Sequence, residues 1–103
     1  MLGEKLKELR ESKGLLQRQV AAELDVDTAY ISKMESSEKP VSRQHLKKLS
    51  LLLGISEEEL DTLWLADKLL DVVKDEPAGL KSLEVVQALM KDNMKAKNLK
   101  HPV

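Results

Sequence analysis

An all-α fold is what this sequence predicts, and three observations carry the prediction. Apolar residues recur at helical spacing in one segment after another. The composition is leucine-rich and holds four glycines in 103 residues. Caps and stops fall between the periodic segments rather than inside them. The densest stretch is Gln17 to Glu35, QRQVAAELDVDTAYISKME, which reads as two short amphipathic helices joined by a tight turn. A short helix held across another presents its outer face as a rigid probe.

The elements follow in order. A first helix is expected from about Gly3 to Lys13, with Leu2, Leu6 and Leu9 inward and Gly14 as its stop. A second covers Gln17 to Leu24, with Val20, Ala21 and Leu24 on one face. Asp27 caps a third, Thr28 to Glu35, whose inward residues are Ile31, Met34 and Glu35. The segment from Ser36 to Val41 is a loop, and Ser42 then caps a fourth helix that Gly54 ends. Ser56 and Glu59 form a capping-box pattern that opens a fifth. Its early face is Leu60, Leu63 and Trp64; further on, Leu65, Leu69, Val72 and Val73 lie on nearly the opposite side. Pro77 and Gly79 interrupt it before a last helix, Leu80 to Lys95, with Leu83, Val86, Met90 and Met94 at helical spacing.

Composition excludes several functions. The chain has no Cys, so disulfides and thiolate zinc sites are ruled out. His45 and His101 lack any metal-ligand spacing, and no metal or cofactor is expected. No nucleophile–base pair or Gly-rich phosphate loop is present, so the chain does not read as an enzyme. The opening MLGEKLKELR is a charged amphipathic pattern, not a signal peptide, and no apolar run approaches the roughly 18 residues of a membrane span. A cytoplasmic protein is expected. Residues 1–56 carry a net +2 and residues 57–103 a net −3, so any polyanion must be held by placed cations rather than bulk charge.

With Ile31 turned inward, Ala29 and Lys33 point outward on the third helix, flanked by Thr28, Ser32 and Tyr30. This face is short-chained and free of acids, which suits base edges and phosphates. Arg10 and Glu35 both fall on inward faces, four residues after Leu6 and Ile31 respectively. Two opposite buried charges are best explained by each other, because an unpaired one costs several kcal/mol. Ala21 is small enough to let the second and third helices cross closely.

Residues 3–60 resemble the Xre/Cro/cI-type helix-turn-helix domain, the five-helix, lambda-repressor-like DNA-binding unit of phage repressors and many small bacterial regulators. The resemblance is carried by Leu6, Leu9, Arg10, Lys13-Gly14-Leu15, Gln17, Ala21, Leu24, Val26, Ile31, Ser32, Glu35, Leu46, Leu49 and Leu53-Gly54-Ile55-Ser56. It implies double-stranded DNA as the partner and a role for each surface position. Gln17 would meet a phosphate at the start of the second helix. Thr28, Ala29, Ser32 and Lys33 would face bases in the major groove, Lys33 toward guanine. Tyr30 would lie along the backbone, Lys39 and Arg43 would clamp phosphates, and Arg18 would stand beside Gln17. The same resemblance implies the Arg10–Glu35 pair.

The chain departs from the family pattern in three places. Leu16 stands where Thr or Ser usually caps the second helix. Asp25 stands where Gly is common at the turn, and must take a left-handed conformation. Ser36-Ser37-Glu38 replaces a loop that usually carries Gly and a cation.

Residues 1–60 are thus expected to form the DNA-binding domain, 61–95 a helical extension, and 96–103 a frayed tail. One short recognition helix reads four or five base pairs, so family members work as dimers on two half-sites. Leu65, Leu69, Val72, Val73, Leu83, Val86 and Met90 are the expected homodimer interface; the alternative is that the extension folds back within one chain. The reading is a sequence-specific transcriptional regulator, a dimeric repressor or autoregulator. A phage-type repressor, a restriction–modification controller and an antitoxin all fit, although no segment marks a toxin partner. A protein-interaction module that does not bind DNA is the rival class.

Overall fold

The computed structural model describes residues 1–100, with side chains described through Lys95. Among these residues there are six α-helices and no strand. They are α1 (Leu2–Ser12), α2 (Gln17–Leu24), α3 (Thr28–Glu35), α4 (Leu46–Leu53), α5 (Glu57–Val73) and α6 (Gly79–Lys100). Two compact units divide the chain, Met1–Lys68 and the residues from Leu69 onward.

In the first unit α3 packs on α1 and α2, and α4 lies against α1 and α2. The core they enclose is Leu2, Leu6, Val20, Ala21, Leu24, Ile31, Met34, Val41, Leu46, Leu49, Leu53 and Leu60. Every helix of this unit contributes, and each large side chain buried there adds about 1.5–3 kcal/mol. Leu63 and Trp64 of α5 pack against the edge of this core, as do Leu9, Leu15, Val26 and Ile55.

Helix α1 begins at Leu2, one residue earlier than expected. Its first N–H, that of Leu2, donates to Asp67 Oδ2 of α5 at 2.9 Å, and the terminal ammonium stands 3.8 Å from Asp67 Oδ1. A carboxylate from a distant helix therefore supplies the cap that Met1 lacks. Gly3 is buried where α1 passes the end of α3: a Cβ there would lie 2.5 Å from the Met34 carbonyl oxygen and 3.0 Å from that of Glu35.

The fourth helix also starts differently. Ser42 makes no side-chain cap; a 3-10 turn, Arg43–His45, intervenes, with the His45 N–H donating to the Ser42 carbonyl at 3.0 Å. At α5 the Ser56 hydroxyl accepts from the Glu59 N–H at 3.0 Å, the expected cap.

Helices α1 to α4 share one way of ending, a residue with positive φ: Gly14, Asp25, Ser37 and Gly54. After each, the next N–H reaches back five residues, as in Leu15 to Arg10, Val26 to Ala21, Glu38 to Lys33 and Ile55 to Ser50. Two of the four are not glycine, and these two stand at either end of α3.

In the second unit α5 turns into α6 around Pro77. Gly79 is buried, and a Cβ on it would lie 2.6 Å from the Val73 carbonyl oxygen. Val73 and Leu83 are half-buried, whereas Leu69, Leu70, Val72, Leu80, Val85, Val86, Leu89, Met90 and Met94 are exposed. The exposed apolar surface on α6 is thus wider than the stripe read from the sequence. Helix α6 continues to Lys100, beyond the expected Lys95, and the rest of the expected tail, 101–103, lies outside the described residues.

Candidate nucleic-acid interface

The turn between α2 and α3 fixes the site. Asp25 takes φ 56°, ψ 48°, a left-handed conformation that ends α2 and lets α3 begin three residues later. Asp27 then caps α3, its Oδ1 accepting from the Tyr30 N–H at 3.0 Å. Ala21, buried, lies on the side of α2 that meets α3. Leu16 offers no side-chain cap to α2; instead Gln19 Oε1 accepts from the Leu16 N–H at 2.7 Å, which satisfies one donor from the other direction.

Beneath α3 lies a buried polar network. Arg10 Nε and Nη2 donate to Glu35 Oε2 and Oε1 at 2.7 and 3.1 Å, a two-pronged ion pair between α1 and α3. Gln17 Nε2 donates to the same Oε1 at 3.0 Å, and Arg10 Nη1 donates to the Leu15 carbonyl at 2.8 Å. Glu35 thus gathers helices α1, α2 and α3 at one carboxylate. The hydrogen bonds that Arg10 donates to Glu35 raise the Arg10 pKa above its ordinary value, against the opposing effect of burial. Among the described residues no buried side-chain N or O lacks a partner.

This frame holds Ile31 and Met34 inward and leaves Thr28, Ala29, Ser32 and Lys33 exposed together on the outer face. Tyr30 is half-buried, its ring edge-on to His45 at 5.9 Å between centroids and 71° between planes. That contact brings the 3-10 turn beside α3, and with it Arg43. Gln17 is half-buried at the head of α2, with one amide hydrogen engaged by Glu35 and the other left. Arg18 and Lys39 are exposed, the latter beyond the left-handed Ser37 at φ 67°.

Arg43 is not a free cation. Its Nε and Nη2 donate to Asp61 Oδ1 and Oδ2 at 3.0 and 3.1 Å, and its guanidinium lies 4.7 Å from the centre of the Trp64 ring. The pairing with Asp61 raises the Arg43 pKa. Lys68 Nζ approaches the same ring at 4.5 Å, and the Trp64 indole N–H donates to the Val41 carbonyl at 2.7 Å. Asp61, Trp64 and His45 are the neighbours that sequence reading missed. The only tryptophan of a chain with 2% aromatic residues was the available signal.

Comparison with protein families matches the helix-turn-helix family over residues 6–60, which runs from within α1 through α2, α3, the 3-10 turn and α4 to the first turn of α5. The chain belongs to the helix-turn-helix family. Its type is Xre-like and its fold lambda-repressor-like, and it is a DNA-binding transcriptional regulator. The chain is also similar to the control protein C.MunI of Mycoplasma sp, at 44% identity over 59 residues, 56% of this chain and 80% of that protein. No solved structure matches it. The helix-turn-helix family is one of DNA-binding regulators and not a class of enzymes. No described helix is long and apolar enough to cross a membrane.

Proposed function

We propose that this protein is a dimeric, sequence-specific autoregulator of the controller type, working in the cytoplasm and reading two DNA half-sites with α3. The observation that carries the reading is the outer face of α3. Thr28, Ala29, Ser32 and Lys33 form a short-chained, acid-free surface on a helix held from below by Arg10, Glu35 and Gln17. A helix held this firmly enters a major groove without ordering cost at the moment of binding.

In this reading Lys33 donates to guanine O6 or N7, Thr28 or Ala29 meets a thymine methyl, and Ser32 serves several bases. Gln17, Arg18, Tyr30, Lys39 and Arg43 contact the phosphate backbone and set the register. Residues 1–60 form the reading domain. The extension of residues 61–95 joins two copies through Leu65, Leu69, Val72, Val73, Leu83, Val86 and Met90. The likeness to a control protein favours the restriction–modification controller over a phage repressor or an antitoxin.

The test is an electrophoretic shift on duplex from upstream of the protein's own gene, with scrambled duplex as competitor. Retardation that scrambled DNA competes poorly supports the reading; no retardation at low salt defeats it. Lys33→Ala should cost about 1–3 kcal/mol on the preferred sequence and little on scrambled DNA.

A further inference from the structure

Asp61 sits on α5, outside the elements that read DNA, yet its carboxylate takes the same edge of Arg43 that a phosphate would take. The fork is complete, 3.0 and 3.1 Å from Nε and Nη2. Carboxylate and phosphate both fit this edge of a guanidinium, so they compete for it.

The pair has little structural work to do. Its side chains are 59% and 41% exposed, and an exposed ion pair adds little to stability. Attachment of α5 rests elsewhere, on buried Leu60 and on the Trp64 hydrogen bond to Val41. Trp64 beneath the guanidinium then fixes where Arg43 lies.

The surroundings reinforce the acid. Arg43, Leu46, Glu57, Glu58 and Asp61 line one shallow recess, so three acidic residues and one cation share it. Such a recess repels a phosphate that approaches Arg43.

We propose that Asp61 is an affinity-setting residue, which restrains the Arg43 clamp by competing with DNA phosphate for its guanidinium and so keeps DNA binding weak and reversible. The proposal rests on reading the α3 side of the molecule as the DNA-binding surface. Asp61 touches no DNA; it acts through Arg43 as a positioning residue.

The experiment compares four full-length proteins, wild type, Asp61→Asn, Arg43→Ala and the double variant, on the upstream duplex at several salt concentrations. Circular dichroism melting confirms that each is folded, and Asp61→Ser replaces Asp61→Asn if that variant does not fold. Asp61→Asn should bind about threefold tighter than wild type. Its dependence of log K on log salt should steepen by up to about 0.9, the contribution of one more neutralised phosphate. In the Arg43→Ala background both effects should vanish.

Unchanged or weaker binding by Asp61→Asn overturns the proposal while leaving the DNA reading intact. So does an equal gain in the Arg43→Ala background, which would mark a general effect of removing negative charge. If wild type retards no duplex at low salt, the DNA reading fails and this proposal falls with it.

Discussion

At the scale of single residues, Glu35 carries the most. It accepts three hydrogen bonds, two from Arg10 and one from Gln17, in a site where it is 5% exposed. Glu35→Gln leaves the Arg10 charge buried without its counter-ion and should cost about 3–5 kcal/mol in denaturant unfolding. An Arg10→Met, Glu35→Leu double variant should recover most of that loss, because it removes both charges together. Ser37 offers the opposite sign. It ends α3 at φ 67°, where a β-carbon is strained, so Ser37→Gly should stabilise by about 1 kcal/mol in the same measurement. Arg10 and Glu35 were legible in the sequence because two opposite charges on two inward faces demand one another. Asp61 was not. It lies 18 residues from Arg43 on another helix, and exposed charges in a chain with 34% charged residues give no pattern that selects a partner.

At the scale of elements, the helices follow from their stops. Gly14 and Gly54 announce two ends, and the periodic apolar face announces what lies between. The starts were harder to read. A 3-10 turn and the first turn of an α-helix have nearly the same sequence requirements, so nothing in Ser42-Arg43-Gln44-His45 distinguishes them. The start of α1 depends on Asp67, a residue 65 positions away. How closely α1 passes α3 also depends on a single glycine. Gly3→Ala would drive a methyl against the Met34 and Glu35 carbonyls, which are backbone and cannot swing aside. It should lower stability by about 1–3 kcal/mol in thermal or denaturant unfolding. In the proposed reading of α3, DNA affinity should then fall in proportion to the displacement of that helix.

At the scale of the whole molecule, the question is what covers the apolar residues after Lys68. Val72 is 73% exposed, Leu80 79% and Met94 63%, and an isolated soluble chain rarely shows so many large apolar side chains in succession. Self-association is the proposed answer. Sedimentation of the full chain should give a dimer, and a chain ending after Lys68 should sediment as a monomer. A monomeric full-length protein would defeat the dimer. The first unit was legible because its own core completes each helix pattern. The extension was legible only as helices, because most of its described apolar residues are exposed and a periodic apolar face does not say what covers it.

Trp64 gives the molecule an optical reporter of its own. It is the only tryptophan, and it touches Arg43 and Lys68 while its indole N–H is held by the loop at Val41. Every change in its emission therefore comes from one spot, the ground beneath the Arg43 guanidinium. In the proposed competition, unlabelled protein titrated with duplex should signal the departure of Arg43 from Asp61 directly, in the same sample that measures binding.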